Sequence, residues 1–330
     1  MSQPPIANDP WAPIIEALDN DAVTDLALIV GNAAGEQFRY QKGSFDVTAS
    51  YNIASASKWL TSATILTLVE QGIMDLADQP QDYLTYWTDE PSDPRSAITL
   101  AQLLSFTAGF QRSPIEGGCI GEETVSLADC VAEWYAIGVD ATPGTTFHYG
   151  PVHMQVAAAM AEVATGQSWG EIVAQTLAAP LGANSLVFDG NNPRASGGAT
   201  ANAIDYALFL EAQLTGALLP LTFTELATER TTLLTLSSRP AAVTANNVDW
   251  HYGLGVWREC PELVWDASCT VRTLVSSPGA FGWYPWIDAD EGYYAVLAME
   301  EPITLTSSPS EDAVKLGAQL QPLITDALRN

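Results

Sequence analysis

The chain has 330 residues, 47% of them hydrophobic and 9% aromatic, which is enough for one large core or two closely packed subdomains. Its 39 acidic residues against 12 basic ones give a net charge of -27, which excludes nucleic acid and anionic membrane surfaces as natural partners. No apolar run approaches the ~20 residues of a membrane-spanning helix, and no repeat or low-complexity run appears, so membrane insertion is not expected.

Taken along the chain, residues 11–19 have a short helical pattern. Residues 25–30 and 37–40 read as a hairpin through the turn at 31–35. From Ser55 to Glu70 apolar residues recur at helical spacing, with Gly72 as the stop. Helical segments then alternate with Pro- and Gly-rich loops, and residues 152–165 followed by Gly166 form the clearest helix. After residue 250 the texture turns strand-like, at 252–258, 270–275, 282–288 and 293–300, with a turn at 288–292. A closing amphipathic helix is expected from Ser310, a good N-cap, to Leu328. Strands at both ends with helices between them imply an α/β (α+β) architecture. Residues 1–74 and 241–330 are expected to build the sheet domain, and 75–240 a mainly helical insertion, with the active site in the cleft between them.

Four cysteines fall into two close pairs, Cys119 with Cys130 and Cys260 with Cys269, and two local disulfides are the natural reading. No C-x-x-C spacing and no histidine cluster accompanies them, so no metal site is expected. Disulfides imply an oxidising compartment. The N-terminal string MSQPPIANDPW is not a signal peptide, so the expectation is a secreted or periplasmic protein whose leader is absent from this sequence, with a cytosolic protein bearing free thiols as the alternative.

The chemistry concentrates at Ser55-Ala56-Ser57-Lys58. A hydroxyl and an ammonium three residues apart on a helix share one face and can share a proton. A serine becomes nucleophilic when a neighbouring base takes its proton, and a desolvated lysine can serve as that base. The plainer alternative is a capping serine beside a solvated lysine. Only Lys42, Lys58 and Lys315 exist in the chain, which gives the placement of one inside this motif extra weight.

The strings IASASKWLTSATILTLVEQG, ITLAQLLSFTAGF (98–110), PGTTFHYGPVHMQVAAAMAEVATGQSW (143–169), ASGGATANAIDYALFLEAQLTG (195–216), YGLGVW (252–257) and SSPGAFGWYPWID (276–288) follow in an order that resembles the serine β-lactamase and penicillin-binding-protein superfamily. The class C β-lactamase-like branch, which includes many esterases, is the most similar, and the resemblance extends over nearly the whole chain. It implies a β-lactamase-like fold with an antiparallel sheet flanked by helices and an all-α insertion.

The resemblance also implies roles. Ser55 is the nucleophile, Lys58 helps activate it, and Tyr149 relays the proton as a phenolate-like base. The backbone N–H groups of Ser55 and Ala280 are expected to form an oxyanion hole. Two motifs depart from the pattern: Tyr149-Gly150-Pro151 stands where Tyr-x-Asn is usual, and Ser277-Pro278-Gly279 where Lys- or His-x-Gly is usual. Both losses weaken the expectation of β-lactam hydrolysis and favour neutral esters. His148, His153, Ser277, Gly279, Phe281 and Trp283 are candidate pocket residues, with core packing a competing role for the histidines and the tryptophan. A small-molecule ester or amide is the expected substrate, without a cofactor. The alternatives are an amidase, D-peptidase or β-lactamase with the same nucleophile, and an inactive relative that only binds.

Overall fold

The structure is a computed structural model that describes residues 9–111, 118–218, 220–260, 264–304 and 308–330. Residues 1–8, on which the leader expectation rests, lie outside the described residues.

Seven strands form one sheet in the order Gly35–Lys42, Leu26–Asn32, Tyr293–Ala298, Tyr284–Asp288, Leu274–Ser276, Trp257–Arg258, His251–Tyr252. Every neighbouring pair is antiparallel. The inner strands read LALIVGN, YPWID and YYAVLA and are buried almost throughout, as a sheet covered on both faces requires. Alternation along these strands divides the two faces. Tyr294 donates to Glu211 on the Ala203–Thr215 helix at 3.0 Å. Tyr284, on the opposite face, packs against Gly317 and receives a hydrogen bond from Gln321 of the Pro309–Arg329 helix. The expected antiparallel sheet flanked by helices is therefore present.

The Ser57–Glu70 helix runs through the middle of the molecule and is buried from Ser57 to Leu68, on every side rather than along one stripe. Three of its five hydroxyls answer this burial by bonding backbone: Ser57 accepts from the N–H of Ala199, Thr61 donates to the carbonyl of Ala195, and Thr67 to that of Ala63, while those of Ser62 and Thr64 are buried without a partner among the described residues. The Val152–Thr165 helix, buried from Val152 to Ala161 and closed by Gly166 in the left-handed region, packs on it. Among the described residues no helix is long and apolar enough to cross a membrane.

Several elements differ from their sequence expectations. Residues 252–258 are two short strands, His251–Tyr252 and Trp257–Arg258, folded back on each other about Gly255, whose φ of +80° suits a residue without Cβ. Thr270 lies in the Ala267–Val271 helix, capped by Asp266, and the next strand starts only at Leu274. The last helix begins at Pro309 after Ser308, so Ser310 is inside it and does not cap it. The first hairpin turns over two residues, since Asn32 already pairs with Gly35.

Candidate active site

Ser55 sits in a single 3-10 turn, Ala54–Ala56, that feeds directly into the Ser57–Glu70 helix. Ala54 has a φ of +46°, a backbone position that non-glycine residues seldom hold, so the chain bends sharply just before Ser55. The bend is tied down on both sides. The N–H of Ile53 donates to the carbonyl of Ala199, and the buried hydroxyl of Tyr206 donates to the carbonyl of Ala56 at 2.9 Å.

Lys58 is 4% exposed, and its ammonium donates to the Oγ of Ser55 at 3.0 Å and to the carbonyl of Ser196 at 2.6 Å. Burial disfavours the ammonium and lowers its pKa from the ordinary value of 10.5 to about 7. Lys58 is thus poised to exist as a free amine at neutral pH, within reach of the Ser55 proton. The solvated-lysine alternative does not hold, because this side chain is buried.

Tyr149 follows the Thr146–His148 strand, which pairs in parallel with Thr235–Ser238, and its N–H donates to the carbonyl of Ser238. Its ring lies in an aromatic box, stacked on Trp257 at 5.5 Å and edge-on to Phe106 at 5.3 Å and Tyr252 at 6.1 Å. The Lys58 nitrogen stands 4.6 Å from the centre of that ring. Burial raises the pKa of the phenol, only partly opposed by its hydrogen bond with Ser55. Tyr149 therefore keeps its proton at neutral pH, the reverse of what a phenolate requires.

The segment after the Leu274–Ser276 strand closes on the same centre. Ser277 donates from Oγ to the carbonyl of Ser55 at 3.0 Å. A Cβ at Gly279 would run into the carbonyl of Ile53, so the turn at 279–282 lies flat against the residues that precede Ser55. Ala280 occupies that turn, closed by the N–H of Gly282 on the carbonyl of Gly279 at 3.0 Å.

A buried lysine bonded to a serine, with a tyrosine ring beside the lysine, is the arrangement that the sequence resemblance implied, and the beta-lactamase family model matches residues 18–318. The chain belongs to the beta-lactamase family. Penicillin-binding protein 4 of Amycolatopsis lactamdurans is 26% identical over 136 residues, 40% of this chain and 34% of that protein, so the match spans about a third of the curated relative. A crystal structure from Bacteroides dorei DSM 17855, provisionally described as a beta-lactamase, superposes with a TM-score of 0.79 and 26% identity, covering 95% of this chain and 97% of the other. EstCE1, described as a hydrolase with promiscuous acyltransferase activity, shares the fold at a TM-score of 0.71 and 16% identity, over 92% and 95% of the two chains.

Within this beta-lactamase-family fold the wall of the cleft is not made of the residues expected from the sequence. A cavity of about 460 Å³ opens beside Ser55 and Lys58, and the rest of its wall is Ala54, Gly118, Ile120, Glu122, Pro151, Arg194, Ser196 and Gly197. None of the six candidate pocket residues lines it. His153 is fully buried, bonded to the carbonyl of Phe110 at 3.1 Å between the rings of Phe106 and Phe110, and burial lowers its pKa to about 3. Trp283 is fully buried against Tyr206 and Tyr51. Both fill the core. His148 bonds Ser237 at 2.9 Å, and Phe281 is half-buried in the turn beside Ala280.

The two expected cysteine pairs, Cys119 with Cys130 and Cys260 with Cys269, lie at bonding distance. The first holds the loop that carries Ile120 and Glu122 into the cleft. Among the described residues no group of three or more His, Cys, Asp or Glu side chains could hold a metal ion.

Proposed function

We propose that this protein is a serine hydrolase that cleaves carboxylic esters through an acyl-enzyme on Ser55. The observation that carries the reading is the 3.0 Å contact between Lys58 Nζ and Ser55 Oγ, together with the burial that brings Lys58 to about 7. As the free amine, Lys58 accepts the Ser55 hydroxyl proton while Oγ bonds to the ester carbonyl carbon. The backbone N–H groups of Ser55 and Ala280 are assigned to the oxyanion, each such donor contributing about 3 kcal/mol to the tetrahedral state. Collapse expels the alkoxide, which takes a proton from the Tyr149 hydroxyl. Lys58 then returns its proton to Tyr149; water gives a proton to Lys58 as it attacks the acyl carbon, and the departing Ser55 Oγ takes that proton back as the carboxylic acid is released.

Esters are favoured over amides because their leaving groups need less assistance, and assistance is what this chain has lost. Pro151 offers no side-chain amide, and Ser277 no cation, beside the reacting bond. The neutral-substrate expectation therefore applies to the reacting end of the molecule. The similarity to a penicillin-binding protein favours a second reading, amide or β-lactam cleavage by the same serine.

Intact mass after incubation with a fluorophosphonate tests the first point. The wild type should gain one adduct and Ser55→Ala none. Absence of any adduct on the wild type would support the inactive, binding-only alternative. Turnover of 4-nitrophenyl hexanoate without turnover of nitrocefin is the result expected for an esterase, and the opposite pattern would move the assignment to the second reading.

A further inference from the structure

The cleft holds one feature that the acyl-enzyme chemistry does not use. In a chain with 39 acidic residues and 12 basic ones, every other lysine and arginine among the described residues has a polar partner. Six arginines and Lys315 pair with carboxylates, while Lys42, Lys58 and Arg258 donate to backbone carbonyls. Arg194 has none among the described residues, and this exposed side chain lines the cleft that contains Ser55. Glu122 lines the same cleft without forming an ion pair with it.

The backbone around Arg194 is fixed with unusual thoroughness for a loop. Gln155, fully buried, donates to the side chain of Asn192 at 2.8 Å and to the carbonyl of Pro193 at 2.9 Å, and accepts from the N–H of Ala195 at 3.2 Å. Asn192 donates to the carbonyl of Cys119 at 2.6 Å. Thr61 and Lys58 hold the carbonyls of Ala195 and Ser196. Two glycines clear room for the side chain itself. A Cβ on Gly121 would collide with Arg194 Nε and stand 2.8 Å from its Cγ, and one on Gly198 would come within 3.0 Å of its Cβ. Backbone held rigid on both flanks, space left open for the stem and a five-donor fork left unpaired together describe a preorganised anion receptor.

We propose that Arg194 binds a carboxylate on the substrate, set away from the scissile bond, so that the preferred esters are anionic at a remote end and neutral at the reacting one. The global charge of -27 does not forbid this. Charges beyond about 8 Å are largely screened at physiological salt, whereas a guanidinium on the cleft wall acts on a bound carboxylate at contact distance. The substrate class deepens the ester-hydrolase reading and rests on it for turnover, though the binding itself does not.

The test compares wild type with Arg194→Gln and Arg194→Lys on two matched pairs of esters. The acyl arm is 4-nitrophenyl hemiadipate against 4-nitrophenyl hexanoate. The alcohol arm is 4-carboxyphenyl butyrate against 4-(methoxycarbonyl)phenyl butyrate. In one arm the ratio of kcat/KM, anionic over neutral, should fall about tenfold to a hundredfold in Arg194→Gln, mainly through KM, as expected when one charge-assisted hydrogen bond is lost. Arg194→Lys should recover part of it, and the responding arm identifies which half of the ester carries the charge. Calorimetry of monomethyl adipate and 4-hydroxybenzoate with Ser55→Ala and with Ser55→Ala/Arg194→Gln reads binding without chemistry. An unchanged ratio in both arms, with equal binding in the two Ser55→Ala proteins, overturns the proposal even where esters are hydrolysed. Tighter binding with Arg194 present, in a protein that hydrolyses none of the esters, would keep the anion site and discard the esterase.

Discussion

On the proposed mechanism, shifting the pH from 8 to 6 should slow ester cleavage about tenfold, because the base assigned to Ser55 is Lys58, whose burial brings it to about 7. At pH 6 roughly one Lys58 in ten is the free amine, and at pH 8 roughly nine in ten. The profile of kcat/KM should therefore climb with unit slope and level off above about 7. His148 and His153 do not supply that inflection, since burial holds both below their ordinary value, His153 at about 3. The same burial has a stability signature. Moving the ammonium from 10.5 to about 7 disfavours it in the folded state by about 5 kcal/mol. The cost is complete below pH 7, shrinks as pH rises from 7 toward 10.5, and is absent above that. Lys58→Met should accordingly lose turnover, yet unfold at a higher urea concentration than wild type at pH 6, with the two proteins converging toward pH 10. A rate profile that is flat from pH 6 to 8, or one that inflects near 10, would refute the assignment of Lys58 as the base.

Tyr149→Phe keeps the aromatic box and removes only the hydroxyl, so kcat should fall by about 10² to 10⁴ while fluorophosphonate labelling of Ser55 persists at a reduced rate. Unimpaired kcat would remove Tyr149 from the proton path. Gly255→Ala places a Cβ against Ser62 Oγ and 2.8 Å from the carbonyl of Lys58, at a φ of +80°. It should lower the melting temperature and slow Ser55 labelling together, because the clash bears on the helix that carries Lys58 and continues from the turn holding Ser55; a melting temperature equal to wild type would count against that rigidity.

The parts of this molecule that were legible in its sequence are those written in side-chain pattern. Ser55 and Lys58 declared themselves by spacing and by the scarcity of lysine, and the Val152–Thr165 helix by its apolar run and terminal glycine. What was hidden is written in backbone and in tertiary contact. The carbonyl of Ser196 that holds Lys58 has no residue preference, and the positive φ of Ala54 is invisible in an alanine. The Ser57–Glu70 helix shows apolar residues at helical spacing but is buried all round, because Ser57, Thr61 and Thr67 satisfy themselves on backbone and so can be buried alongside leucine. Trp283 and His153 were ambiguous between wall and core for the same reason: an aromatic beside a motif packs wherever the chain has room. Arg194 could have been noticed, because the scarcity that singled out Lys58 applies equally to an arginine directly before the ASGGATA string.

The sheet carries a consequence for how the protein comes into being. Leu26–Asn32 lies between its hairpin partner and Tyr293–Ala298, with Ala27 paired to Ala298. Ser55 is synthesised 222 residues before Ser277, whose hydroxyl bonds its carbonyl, so the edge against which Ser55 is pressed emerges from the ribosome long after it. Pairing over such a sequence distance is slow and leaves an apolar strand waiting for its neighbour. A nascent chain stopped before residue 277 would hold Ser55 and Lys58 without that edge and should not be acylated by a probe, so acylation can time this late step of folding.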